Sequence, residues 1–246
     1  RTSPRALRLS WRSEPNWIGK PTLLLDASAD EAIIKKLYAG QKVKTVSIEA
    51  PLHIKTVAII DHLFAKSGFV GENGPGKIAD VRRAIVRIAS HHRDTRVLVG
   101  CAKEIRILIN TGWAAPVNVD WCHYGAMRGL DFAKSYGAAI SIGRMQLPID
   151  AIDGYVAALT YDDDIPEGPL QPHGVDRAID ANGNATGEII KIPVQSRILE
   201  LRDGADLEIG IAHFPAEMRW HIAVQEQFRE EEQAQFLGRL RPVYRE

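Results

Sequence analysis

Gln235, Gly238, Arg239 and Arg241 are crowded into one short stretch, Gln235-Phe236-Leu237-Gly238-Arg239-Leu240-Arg241, just after an amphipathic run. Arginine cannot lose its charge and carries a planar fork of donors, so a guanidinium can stabilise charge developing on a transferring phosphoryl group. Such a finger is worth roughly a thousandfold or more in rate. The plain alternative is an ordinary Arg-rich surface. A second stretch lies well upstream, His123-Tyr124-Gly125-Ala126-Met127-Arg128-Gly129-Leu130-Asp131-Phe132. It follows the strand-like run 117–121 and precedes another at 138–142. A glycine-bearing loop at the end of a buried strand lets backbone approach a phosphate without a Cβ in the way. Asp131 could orient a basic partner or a metal-bound water there. The alternative for this stretch is a strand-to-helix turn with a capping Asp.

In that order and spacing, the two stretches resemble motifs V and VI of superfamily 2 helicases, in the flavour encoded by phages and mobile elements. Gly129-Leu130-Asp131-Phe132 is similar to the Gly-Ile-Asp-Phe of motif V. Residues 96–109 resemble motif IV, and Thr22-Leu23-Leu24-Leu25-Asp26-Ala27-Ser28-Ala29-Asp30 resembles motif III. The resemblance spans residues 21–160 and 225–242. Arg241 follows Arg239 by two positions rather than the three of many members, so either can be the finger. The resemblance implies the C-terminal RecA-like half of an ATP-dependent motor. ATP and Mg²⁺ would be held mainly by the protein's own N-terminal RecA-like domain. Arg239 and Arg241 would be catalytic, while Gln235, Gly238, Gly129 and Asp131 would lie at the nucleotide. Lys103, Arg128 and His123 would contact nucleic acid, DNA on the mobile-element likeness.

Elements able to position such residues are legible in the pattern. The 246 residues suffice for one large domain or two small ones, and charged and apolar fractions are those of a globular protein. Strand-like runs are expected at 22–25, 43–48, 56–60, 96–100, 117–121 and 138–142. Helices are expected at 30–37, 78–90, 103–109 and, in the main, 215–237. This alternation predicts an α/β fold, a RecA-like parallel sheet with helices on both faces. Residues 161–187 turn to Asp, Pro, Gly and Asn, and alternating runs follow, so 161–214 reads as a loop and small β insertion. Residues 1–20, basic and irregular, read as a linker from a missing N-terminal half; the start on Arg1, without Met, points to a piece of a longer chain. The RecA-like domain would then be residues 21–160 with 215–246.

Other signals narrow the choices. Formal net charge is zero, which counts against a sequence-independent nucleic-acid coater but not against a motor that grips through a few local groups. Cys101 and Cys122 show neither zinc nor disulfide spacing, and Cys122-His123, neighbours that point to opposite faces of a strand, read as structural rather than as a metal or nucleophile pair. The Asp162-Asp163-Asp164 run reads as a solvated loop, so no metal site is assigned. There is no apolar run of the roughly eighteen residues needed to span a bilayer and no signal-like start, giving an expectation of a cytoplasmic protein without a membrane partner. Gly71-Glu72-Asn73-Gly74-Pro75-Gly76-Lys77 matches the glycine-lysine spacing of a phosphate-binding loop, but Ile78 stands where a Ser or Thr must hold Mg²⁺. A non-catalytic DNA-binding or protein-interaction module with a helicase-like fold is the alternative to a motor. A self-contained phosphotransferase built on Lys77 and Asp26 is a third.

Overall fold

The computed structural model describes residues 13, 19–25, 29–48, 53–59, 64–126, 132–171, 177–182, 184–200 and 204–241. The chain forms two compact units, Arg1–Thr45 with Leu147–Gln225, and Val46–Gln146 with Glu226–Glu246. The second unit carries the three-stranded parallel sheet. Its central strand β1 (Val97–Cys101) lies between β2 (Val119–His123) and β3 (Ala138–Ile142), with Val97 opposite both Val119 and Ala138. Every residue of β1 is buried. Its near-continuous apolar sequence suits a parallel strand covered on both faces.

Alternation along β1 sorts the core into two layers. Val97, Val99 and Cys101 pack with Phe69 of α2 (Ser67–Val70), Val81, Ile85 and Ala89 of α3 (Gly74–His91), and Ile105 and Ile109 of α4 (Lys103–Asn110). Leu98 faces the other way, into a cluster with Cys122, Tyr124, Ala133, Tyr136, Phe236 and Leu240. Phe236 belongs to the long helix α6 (Arg219–Gly238). Helices therefore cover both faces, and the chain is mixed α/β. The two cysteines lie in opposite layers. Burial pushes the Cys101 thiol up to about 12 and the Cys122 thiol up to about 11, as inert structural cysteines require.

In the first unit, α1 (Glu31–Leu37) starts at Asp30, whose carboxylate accepts the Ile33 amide at 2.8 Å. Its Lys36 pairs with Asp163 and, at 3.4 Å, with Asp162. The acidic run after α5 (Ile149–Thr160) thus anchors a lysine. Among the described residues, 161–214 holds two antiparallel hairpins, β4 (Arg177–Ile179) with β5 (Ala185–Ile189), and β6 (Val194–Glu200) with β7 (Asp206–Ala212).

Three expected strands do not form among the described residues. Residues 22–25, 43–48 and 53–59 are without regular secondary structure. Leu23, Leu25, Val46, Ile48, Val57 and Ile59 are exposed along them. Strand propensity reflects fit to a pleated, half-buried surface, and these segments have no ladder to join. Helix α6 begins at Arg219 rather than 215 because the Glu167 carboxylate takes the amides of Trp220 (3.0 Å) and His221 (3.0 Å).

Candidate functional site

The carboxyl ends of the three parallel strands form the candidate site. α4, which connects β1 to β2, packs in one layer, whereas the β2–β3 connection contributes Tyr124, Ala133 and Tyr136 to the other. Crossovers on opposite faces make a switch point beside β1, the place where open α/β sheets bind ligands.

A polar network ties this edge to α6. The Tyr124 hydroxyl donates to the Gly143 carbonyl (3.0 Å) and lies 2.5 Å from Ser141 Oγ, which also receives the side-chain amide of Gln233. Burial raises the Tyr124 phenol well above its ordinary range. Immediately after it, Gly125 has φ +83°, a backbone that favours glycine, and its amide donates to Glu232 Oε1 at 2.6 Å. Glu232 is buried. A carboxylate taken out of water stays only if it is bonded, and a charge-assisted bond of this kind contributes roughly 1.5–3 kcal/mol. The Tyr124 and Phe236 rings meet edge to face, centroids 6.3 Å apart. Against β1 the fit is tighter still: a Cβ on Gly100 would lie 2.5 Å from Phe236 Cε2.

The sequence-derived candidates that are described lie on α4, on β2 and at or just beyond the end of α6. Lys103 is exposed at the first position of α4, and His123, the last residue of β2, lies opposite Cys101 in register. Gln235 is half-buried beside Phe236, and Gly238 closes α6 in the open, where an added Cβ would meet nothing within 4 Å. Arg239 is half-buried, and its charge acts on the Cys122 thiol. Arg241 is exposed just beyond the helix with φ 50°, its amide held by the Gly238 carbonyl. The two arginines thus differ in setting, one turned toward the sheet layer and one outside it. Arg128, Gly129 and Asp131 lie outside the described residues, but the chain on both sides of them, Tyr124 and Ala133, packs with Phe236 and Leu240.

Sequence reasoning passed over Glu232, Gln233 and Ser141. Glu232 stands three residues before Gln235 and seven before Arg239, a helical spacing that links them. Nothing in the sequence marked it as buried. A second polar cluster, in the first unit, was also unforeseen. The fully buried His221 ring lies 2.8 Å from Asp153 Oδ1 through Nε2 and 2.6 Å from Glu167 Oε1 through Nδ1. Asp153 also accepts the amides of Leu170 and Gln171, so the trio braces α5, the following loop and the start of α6.

The phosphate-loop likeness at 71–77 has a structural explanation. Among the described residues no strand precedes it; α2 does, and a Cβ on Gly74 would overlap the Phe69 carbonyl. The Lys77 ammonium sits 5.7 Å from the Phe64 ring centroid and 5.9 Å from that of Phe69. Among the described residues there is no group of three or more His, Cys, Asp or Glu side chains that could hold a metal ion. No described helix is long and apolar enough to cross a membrane. No protein-family model, curated protein or solved structure matches the chain.

Proposed function

We propose that the chain is the C-terminal RecA-like half of an ATP-dependent superfamily 2 helicase or translocase acting on nucleic acid, DNA in preference to RNA. The observation that supports this best is the joint between the turn after β2 and the arginine-bearing end of α6. Glu232 holds the Gly125 amide, and Phe236 and Leu240 pack with the residues flanking 127–131. In this reading the phosphates and the metal are held mainly by another RecA-like body. This chain would supply Arg239 and Arg241 to the charge developing on the phosphoryl group. Gln235 and Gly238 would line the nucleotide, and Gly238, which the fold does not require, would leave room for close approach. Gly129 and Asp131 would pass cleft closure to the bound strand, which Lys103, Arg128 and His123 would contact.

The test uses ATP turnover. The 246-residue chain alone should be inactive. Joined to its phosphate-holding half, it should lose turnover sharply on Arg239→Ala or Arg241→Ala, with ATP binding nearly intact. Robust hydrolysis by the isolated chain, or unchanged turnover in both variants, would end this reading.

The β insertion favours a second reading, a non-catalytic module for nucleic acid or protein. The β6–β7 hairpin carries Val194 and Ile198 exposed on one face, and pairs Leu199 with Leu207 on the other. A Gly-x4-Gly-Lys-Ser/Thr and an Asp-Glu pair in polypeptide preceding Arg1 would support the motor; polypeptide there without them would support the module.

A further inference from the structure

At the opposite, amino-terminal edge of the same sheet, the last turn of α3 and the residues after it line a cavity of about 450 Å³. Arg87, Ile88, Ser90, His91, His92 and Arg93 surround it. Basic groups at a helix C-terminus are commonly explained by the helix dipole and by unmet carbonyls. Here part of that need is met by another residue. The Asn118 side-chain amide donates to the carbonyls of Ala89 (3.0 Å), His92 (3.1 Å) and Thr95 (3.2 Å).

Neighbouring arginines with structural roles are recognisable by their partners. Arg82 donates to the carbonyls of Ile109 (2.9 Å) and Thr111 (2.7 Å) and lies over Trp113. Arg83 pairs with Asp80, and Arg96 with Asp120. Arg87 and Arg93 differ: both are exposed, and neither makes a hydrogen bond or ion pair among the described residues. Even Asp94, next in sequence to Arg93, is not paired with it. The exposed His91 ring stands near-perpendicular to the His92 ring, centroids 5.1 Å apart.

We infer that this concavity binds the phosphodiester backbone of a single nucleic-acid strand. Arg87 and Arg93 engage phosphates through bidentate forks, and His91 offers a ring on which a base stacks. The chemistry favours a strand over an acidic peptide because it combines two unpaired guanidiniums with an aromatic face. The site uses none of the residues assigned to the carboxyl edge and needs no nucleotide, so it stands apart from the motor reading.

The test measures fluorescence anisotropy of a labelled single-stranded oligodeoxynucleotide with the intact chain, across a salt series and without ATP. The wild type should bind with a salt-dependent affinity. Arg87→Ala/Arg93→Ala should lower affinity at least tenfold and flatten the slope of log affinity against log salt by about 1.4, from roughly 0.7 per phosphate contact on single strands. His91→Ala should lower affinity severalfold. All three positions lie at the surface, so circular dichroism and melting should match wild type. Absence of wild-type binding, or an unchanged affinity and slope in the double variant, overturns the inference. Displacement of the oligonucleotide by polyglutamate or by pyrophosphate at equal concentration of charge also overturns it, since either means a site for any anion.

Discussion

Gly100→Ala tests whether the end of α6 is seated on the sheet as described. The new methyl carbon would lie 2.5, 2.8 and 3.0 Å from Phe236 Cε2, Cδ2 and Cζ. Phe236 is fully buried and in contact with the Tyr124 ring, so it cannot swing into solvent. Either the ring leaves its rotamer or α6 lifts from β1. Overpacking of this kind costs about 1–3 kcal/mol. With two compact units in the chain, a single melting temperature is a blunt readout. The cysteines provide a local one: Cys122 lies in the layer with Phe236 and Cys101 in the opposite layer. Gly100→Ala should therefore make Cys122 react faster with a thiol reagent while Cys101 stays protected. In a Phe236→Leu background the ring edge is gone and the alanine should cost little, giving a coupling of about 1 kcal/mol or more in a double-mutant cycle. Additive effects within about 0.5 kcal/mol, or simultaneous exposure of both thiols, would refute the seating of Phe236 against Gly100.

Gly238→Ala should leave stability unchanged or raise it by up to about 1 kcal/mol, because glycine disfavours helix and the added methyl meets nothing. In the assembled motor the same change should reduce ATP turnover at least tenfold; a clear loss of stability would instead give Gly238 a structural purpose. The two thiols predict alkaline destabilisation. Their folded pKa values, raised to about 11 and about 12 by burial, favour the native state fully below the ordinary thiol value. That contribution declines as pH rises above about 8.5, by up to about 1.4 kcal/mol per thiol per pH unit. Urea titrations between pH 8.5 and 10, below the ordinary tyrosine range, should show the decline in wild type and a flatter line in Cys101→Ala/Cys122→Ala. Equal slopes would mean that the thiols ionise freely in the native protein.

Local pattern was enough wherever an element fits its own surroundings. The apolar face of 78–90, the run 96–100 and the stretch 138–142 foretold α3, β1 and β3, because spacing alone states which side must leave water. The same reasoning failed at 22–25, 43–48 and 56–59, where strand-forming residues find no strand to pair with among the described residues. It also misread the start of α6, since the group that caps its amides, Glu167, is remote in sequence.

By itself, then, the sequence determined the alternating α/β character, a structural role for Cys122 and the residue types able to meet a phosphate. Tertiary structure decided which of those residues meet. Glu232 became a buried acceptor only because the turn at Gly125 offers an amide where α6 crosses it. Arg87 and Arg93 have no partner among the described residues at the end of α3, where Asn118, from the loop before β2, takes the carbonyls of Ala89 and His92. Helical or strand periodicity reports a residue's own face; hydrogen-bond partners and charge neighbours arrive from distant parts of the chain, and folding alone brings them within reach.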